Sequence, residues 1–362
     1  LLKDDPGLTA YSLSDEKTFD ITIGDRVLSE EIVSGGRVPV YSANVYEEFG
    51  RIDKENMKDY SRPSVIWGID GDWMVNIIPA GVPFYPTDHC GVLRIKTEKI
   101  LPEYMMYALQ AEGEYERFSR NNRASAQRIR SLVVQAPETK IQKNIIDELK
   151  ALDDKINGQN AEIEKYENSI RTKFDQIFHL EEFISDGVFS KYEGYSVEDL
   201  CIDGRGRVIN QQYIENHKGP YPVYSSQTTN DGIFGSIDTF DFDGEYITWT
   251  TDGAKAGTVF YRNGKFNCTN VCGTLKAKND KVNMRYLAYL LNRIAYKFVS
   301  RVGNNKLMND AMKKIVVPVP KRQLQDEFAD FVQSVEKSKF ECIGKKEKFE
   351  IEKDTFVHKY FR

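Results

Sequence analysis

Two long segments of the chain combine a regular apolar stripe with an absence of proline. Between Glu138 and Phe178, apolar side chains recur every three or four residues, with one skipped turn at Gln159 and Asn160. The residues of the stripe are Ile141, Ile145, Leu149, Leu152, Ile156, Ile163, Tyr166, Ile170, Phe174 and Ile177. This spacing predicts one helix about 60 Å long, at ~1.5 Å per residue, whose stripe needs a partner helix.

A second segment near the C-terminus can supply that partner. Over residues 323–361, apolar side chains recur at intervals of seven, at Phe328, Val335, Cys342, Phe349 and Phe356. Each long segment follows a proline, Pro137 or Pro320, and proline fixes φ and favours the first turn of a helix. A glutamine stands five residues after each proline, at Gln142 and Gln325.

Several short motifs occur twice in the same order, 182 or 183 positions apart. The matched motifs are Pro39-Val40-Tyr41-Ser42 with Pro222-Val223-Tyr224-Ser225, Trp67 with Trp249, Cys90-Gly91 with Cys272-Gly273, and Asn121-Asn122 with Asn304-Asn305. A collinear series of this kind indicates a tandem duplication. Each repeat is expected to hold one globular module, with twisted, mostly antiparallel sheets and small helices, followed by one long helix.

Turn residues suggest details within the modules. In the second module, Gly257 to Tyr261 and Lys265 to Asn267 are predicted to form a hairpin. In the first module, the segment from Arg117 to Arg130 is predicted to be a polar loop.

Composition limits the possible partners and the cellular compartment of the chain. The chain has 362 residues and a formal net charge of −5, so any nucleic-acid binding must come from local basic patches. Its 5 cysteines are odd in number and form no disulfide framework, which favours a reducing cytoplasm. No segment is apolar enough to predict a membrane span.

The search for catalytic chemistry gives little. The chain has no complete Gly-x-Gly-x-x-Gly or phosphate-binding loop, and neither a Pro-Pro nor a Pro-Asp pair. The only candidate metal ligands are His89-Cys90 and the pair Cys268 and Cys272, which are better explained as small buried thiols in core strands. No cofactor, metal or catalytic residue is therefore predicted.

A basic, amide-rich stretch recurs at the same place in both repeats. The segment from Arg117 to Arg130 holds five arginines and no acidic residue, and its counterpart runs from Arg301 to Lys306. Arginine, asparagine, glutamine and serine are the residues that contact phosphates and base edges. A solvated loop with arginines paired to distant glutamates is the alternative.

The repeated Tyr-Ser turns are the second candidate for DNA contact, although their polar side chains could instead satisfy the local backbone. The predicted DNA-binding residues of the first module are Tyr41, Ser42, Arg120, Asn121, Arg123, Gln127 and Arg128. Those of the second module are Tyr224, Ser225, Gln227, Arg301, Asn304, Asn305 and Lys306.

The alternation of module and long helix, with the repeated Pro-Val-Tyr-Ser motif and the Pro-x4-Gln helix start, resembles the specificity subunit of type I restriction-modification systems over essentially the whole chain. The resemblance implies an α+β protein with two target recognition domains and two long helices that pair as an antiparallel coiled coil. It suggests recognition domains at residues 1–136 and 183–318 and helices at 137–182 and 319–362.

The resemblance also implies a function and partners. One domain would read each half of a bipartite site in double-stranded DNA, and the helices would set the gap, as a dimer matches a palindrome. Adenine methyltransferase subunits, two copies of them, would dock on the chain, and restriction subunits, which translocate DNA, would complete the complex; no membrane partner is expected.

Two alternatives remain open at this stage. The sequence has no initiating methionine, so it could be the recognition portion of a single-chain restriction-modification enzyme. It could also be a coiled-coil scaffold that binds only protein, although the two matched basic stretches count against that reading.

Overall fold

The computed structural model describes residues 7–178 and 192–361. The described chain divides into two compact units, residues 7–161 with 342–361, and residues 162–178 with 192–341. Each unit contains one globular module and one half of each long helix. The predicted boundary between residues 182 and 183 lies outside the described residues.

Both modules mix short strands with small helices. The elements of the first are β1 (Thr9–Ser12), β2 (Phe19–Ile23), β3 (Val38–Tyr41), β4 (Gly50–Ile52), β5 (Ser64–Gly68), β6 (Val75–Ile78), β7 (Tyr85–Pro86), β8 (Cys90–Ile95), α1 (Pro102–Tyr115), α2 (Ala126–Arg130) and β9 (Val133–Ala136). After the long helix α3 (Thr139–Phe178) come β10 (Gly194–Ser196), α4 (Val197–Leu200), β11 (Cys201–Arg205), α5 (Gln211–Asn216), β12 (Lys218–Tyr224), β13 (Ile233–Ile237), β14 (Glu245–Thr250), β15 (Val259–Asn263), β16 (Asn267–Cys268), β17 (Cys272–Ala277), α6 (Met284–Ile294), α7 (Asn309–Lys313), β18 (Val316–Pro318) and the long helix α8 (Arg322–Phe361).

The two modules share one sheet topology. The first has a four-stranded sheet in the order β2-β8-β5-β6, a three-stranded sheet β4-β3-β7 and the pair β1-β9. The second repeats these as β11-β17-β14-β15, β13-β12-β16 and β10-β18. Among the described strands, β3-β7 and β12-β16 pair in parallel and the others pair antiparallel. The predicted duplication, with mostly antiparallel sheets, is confirmed.

The hairpin predicted between Gly257 and Asn267 is wrong. Strand β15 pairs with β14, whereas β16 pairs in parallel with β12 in the other sheet. The turn at Gly264 is real, with a φ of +109°, but it joins strands of two different sheets. A turn signal in a sequence fixes a change of direction and not the partner of the next strand.

A tryptophan lies at the centre of each module's core. Trp67 and Trp249 are both 0% exposed. The Nε1–H group of Trp67 donates to the carbonyl of Ala124, and that of Trp249 to the carbonyl of Leu307, each at 2.9 Å. The indole therefore fills the core and also fixes the backbone at the basic stretch, within the stretch in the first module and directly after it in the second.

The glutamine that follows each proline has a structural role at the start of the long helix. Gln142 is fully buried; its Nε2 atom donates to the carbonyls of Lys99 and Pro137, and its Oε1 atom accepts from the amide of Leu101. Each glutamine therefore satisfies backbone groups of its own helix start and of the segment before α1 or α6.

Gln325 makes the matching bonds in the second module. Its side chain bonds the carbonyls of Lys281 and Pro320 and the amide of Asn283. The helix starts of the two repeats are thus built in the same way.

In the first unit, the early part of α3 packs against the late part of α8. Leu149 and Leu152 are buried on α3, Lys353 forms an ion pair with Asp153, and the Lys155 ammonium lies 5.3 Å from the ring centre of Phe349. Ile141, predicted on the stripe, is instead 46% exposed, and Ile146 is buried. Near the start of α3, Ile146 rather than Ile141 therefore contributes to the core of the first module.

In the second unit, the late part of α3 packs against the early part of α8. Phe174 and Phe328 are both fully buried, with ring centres 5.1 Å apart, and Lys173 forms an ion pair with Glu327 at 2.8 Å. Since early meets late in each unit, the two helices run antiparallel, as predicted.

Candidate nucleic-acid interface

Both basic stretches are attached to the core by the same backbone bonds. The amide of Ala124 donates to the carbonyl of Ile69 at 2.8 Å, and the amide of Leu307 donates to that of Thr251 at 2.9 Å. With the tryptophan bonds to the same two residues, these contacts position each basic stretch beside an Asp-Gly turn. The sequence repeat therefore corresponds to a repeated geometry.

The stretch in the first module is only partly a loop. The prediction of a polar loop from Arg117 to Arg130 is wrong at its end, because Ser125 caps the short helix α2. The capping bond runs from the Arg128 amide to the Ser125 hydroxyl. A serine followed by helix-forming residues can start a helix even in a polar segment.

The predicted contact residues of this stretch differ in how free they are. Arg120, Asn121, Arg123 and Gln127 are exposed. Arg128 is half-buried; its guanidinium lies 4.7 Å from the ring centre of Phe118 and donates to the carbonyl of Arg123 at 3.1 Å. Arg128 therefore holds the stretch in shape, and fewer of its donors can reach a ligand.

The Tyr-Ser turn of the first module borders a polar pocket. Tyr41 and Ser42 are half-buried, and the Ser42 hydroxyl lies 3.1 Å from that of Thr87. Burial raises the pKa of Tyr41, so its phenol keeps its proton at neutral pH and can donate a hydrogen bond. The pocket has a volume of about 470 Å³ and is lined by Ser42, Ala43, Asp70, Gly71, Asp72, His89 and Arg120.

The structure brings together predicted residues and two that the sequence analysis missed. Ser42 and Arg120 line the pocket, and Arg123 reaches it through an ion pair with Asp70 at 3.1 Å. Asp70 also accepts a bond from His89 at 2.9 Å. The sequence signal for Asp70 is its place in an Asp-Gly pair that recurs as Asp252-Gly253, and the sequence presents His89 only as a candidate metal ligand.

In the second module, the Tyr-Ser turn is organised around a buried arginine that was also missed. The Arg262 side chain is 4% exposed, forms an ion pair with Asp231, and lies 3.6 Å from the ring centre of Tyr224. Burial raises the pKa of Tyr224. An arginine directly after the aromatic residues Phe260 and Tyr261 of β15 is the signal available in the sequence.

The remaining predicted residues of the second module fall into two groups. Arg301, Asn304 and Lys306 are exposed. Ser225 and Gln227 are half-buried, and the Gln227 side chain donates to the carbonyl of Ile233. Asn305 is half-buried and its carbonyl accepts from the amide of Gly253 at 3.1 Å. The first group is available for contact, whereas the second shapes the turn and the loop.

The cysteine pair is buried in the second module. The sulfur atoms of Cys268 and Cys272 are 3.5 Å apart, both thiols are free, and burial raises the pKa of Cys268. Within residues 7–178 and 192–361, no group of three or more His, Cys, Asp or Glu side chains is placed to hold a metal ion. Over the same residues, no helix is long and apolar enough to cross a membrane.

The geometry defines a class of protein: a duplicated α+β module, each copy joined to a 40-residue helix and carrying a basic stretch beside a polar turn. The family model for the type I restriction modification DNA specificity domain matches residues 18–165 and 190–353. The chain belongs to this family, and it is a DNA-specificity component rather than a catalytic one.

Individual relatives agree with this assignment. A protein of Mycoplasma pneumoniae described as a type I specificity subunit is 39% identical over 212 residues, which cover 58% of this chain and 77% of that protein. The specificity subunit of the type I restriction enzyme MpnII, from the same organism, is 48% identical over 147 residues, 40% of this chain and 44% of the other. The crystal structure of the type I restriction-modification S subunit from M. genitalium has the same fold, with a TM-score of 0.64, 18% identity, and coverage of 100% of this chain and 98% of that one.

Proposed function

We propose that the chain reads a bipartite site in double-stranded DNA, one half with each module, and delivers adenine methyltransferase subunits to it in the cytoplasm. The observation that carries the proposal is the repeated interface. In both modules, a stretch with exposed cations is bonded to the core beside an Asp-Gly turn. A protein with two equivalent reading modules suits a site with two halves.

The charges support two separate roles within each interface, phosphate binding and contact with base edges. Arg120 and Arg123 in the first module, and Arg301 and Lys306 in the second, are exposed cations on a chain with a net charge of −5. Local cations on an acidic protein can bind phosphates and position the module, while side chains near the Tyr-Ser turn contact base edges. The long helices then set the gap and offer docking surface to two methyltransferase subunits, and restriction subunits join the complete assembly. The same role holds if the chain is the recognition portion of a single-chain restriction-modification enzyme.

Selection from a library of randomised duplexes tests the proposal. The full chain, alone and with its cognate methyltransferase subunit, is expected to enrich two short motifs separated by a fixed gap. Enrichment of one contiguous motif would contradict the reading of two half-sites at a fixed spacing. No enrichment, even with the methyltransferase, would point to a scaffold that binds only protein.

Substitutions then test the basic stretch. Arg120→Ala and Arg123→Ala are expected to weaken binding and to reduce its dependence on salt by about one phosphate contact each. Arg37→Ala is the matched control, because Arg37 is an exposed arginine at the opposite end of β3 from Tyr41. Unchanged affinity and salt dependence in both variants would show that this stretch does not bind DNA.

A further inference from the structure

A continuous polar network crosses the pocket of the first module. The Asp70 carboxylate accepts from His89 Nδ1 at 2.9 Å and from Arg123 Nη2 at 3.1 Å, one bond to each oxygen. The His89 amide donates to the Thr87 hydroxyl at 3.2 Å, which in turn donates to the Ser42 hydroxyl at 3.1 Å. The network links the Tyr-Ser turn, the segment before β8, the Asp-Gly turn and the basic stretch.

Asp70 fixes both the orientation and the tautomer of His89. An ionised carboxylate can only accept hydrogen bonds, so Nδ1 of the ring must carry the proton in this contact. In the neutral ring, Nε2 then has a free lone pair. The His89 side chain is 45% exposed, and its Nε2 atom lies 3.9 Å from Asp88 Oδ1, too far for a hydrogen bond, so this acceptor can take a bond from a ligand in the pocket. The other charged groups around the ring are Asp72, Asp88, Arg120 and Arg123.

The second module contains the same backbone without the histidine. Asp252 and Lys306 occupy the positions of Asp70 and Arg123, but Val271 stands where the first module has His89. The main chain is conserved between repeats at this point, since Ile69 donates to the His89 carbonyl at 3.0 Å and Thr251 to the Val271 carbonyl at 3.2 Å. In the second module, the hydroxyls of Ser226 and Thr251 also donate to the Val271 carbonyl. The network is a specific feature of the first module, added to a shared framework.

We propose that His89 reads a base in the half-site bound by the first module, with Asp70 as its positioning residue; this inference rests on the proposed function. The ring acceptor matches a base with an exocyclic amino group on its major-groove edge, adenine or cytosine. Arg120, on the wall of the same pocket, and Arg123, held by Asp70, supply the cations that place the DNA backbone. Because the second module has valine at this position, it reads its own half-site by other groups.

The test uses selection from randomised duplexes with the full chain and its methyltransferase subunit. His89→Val introduces the residue that the second module accommodates on the same backbone, so the variant is expected to fold. Enrichment at one position of the first motif should fall about tenfold, while the second motif and the gap stay unchanged. Asp70→Asn, which removes the charge that holds the ring, should relax the same position to a smaller degree. His358→Gln, a change at an exposed histidine of α8, is the control and should alter nothing.

The outcomes separate this inference from the proposed function. If the unaltered chain selects two motifs but His89→Val selects the same bases as strongly, the inference about His89 is overturned and the proposed function stands. If the unaltered chain selects no bipartite site, the proposed function itself fails. The other positions of the first motif serve as an internal check on folding, since a misfolded first module would lose that whole motif and not one position of it.

Discussion

Single residues explain why the repeated Cys-Gly motif lies where it does. A Cβ atom on Gly91 would lie 2.1 Å from the Trp67 ring, and one on Gly273 would lie 2.2 Å from the Trp249 ring. Both indoles are fully buried and held by a hydrogen bond to the backbone, so neither can move aside easily. Glycine and tryptophan are therefore one packing unit, present once in each module.

Gly91→Ala should lower the free energy of unfolding by about 1–3 kcal/mol, because overpacking a tight core forces side chains and backbone apart. Gly158→Ala is the matched control, since Gly158 lies on α3 with nothing within 4 Å of the added methyl group. That change should raise the free energy of unfolding by about 0.5–1 kcal/mol through helix propensity. Urea denaturation of both variants measures the two effects, and equal stability would contradict the packing argument.

At the scale of elements, the start of each long helix depends on a buried side chain from its own second turn. Gln142 and Gln325 are 0% exposed and bond both the helix start and the segment that leads into α1 or α6. A buried amide with all its partners fixes the direction in which the helix leaves its module. The helix is thereby joined to the module by polar bonds as well as by the apolar stripe.

Gln325→Leu should lower the free energy of unfolding by on the order of 3 kcal/mol, because it leaves a buried amide and buried carbonyls without partners. Hydrogen exchange at the Asn283 amide should become faster, since that group donates to Gln325. Gln323→Leu is the control, because Gln323 is exposed two residues earlier on the same helix, and its effect should stay within about 0.5 kcal/mol. Similar losses in both variants would show that the bonds of Gln325 are unimportant.

At the scale of the whole molecule, we propose that the length of the antiparallel helices sets the number of base pairs between the two half-sites. Inserting one heptad into each helix, after Gln159 in α3 and after Gly344 in α8, preserves the seven-residue stripe. At ~1.5 Å per residue and about 3.4 Å per base pair, the selected gap should grow by about three base pairs. Selection from randomised duplexes measures the gap directly.

The control for this design is the same insertion in α3 alone. It shifts one stripe against the other and should destabilise the pairing, with loss of the fixed gap. A gap that stays unchanged when both helices are lengthened would mean that DNA spacing is set elsewhere in the complex.

Much of this protein follows from the sequence by itself. The two long helices and their pairing are predicted by apolar residues that recur with the 3.6-residue period of a helix, which depends only on local geometry. The duplication is predicted by motifs that recur in the same order. The DNA contacts assigned to the basic stretches stay a prediction, although the structure brings Ser42, Arg120 and Arg123 to one pocket.

Only the tertiary structure shows which residues that are distant in sequence contact one another. The turn at Gly264 was visible in the sequence, but the partner of β16 was not. The pairing of Asp70 with His89 and Arg123 joins residues 19 and 53 positions apart, and the burial of Arg262 under Tyr224 depends on two different sheets. Such contacts arise when separate strands close on one another, and the choice among possible partners is made by packing the whole module rather than by any one stretch of chain.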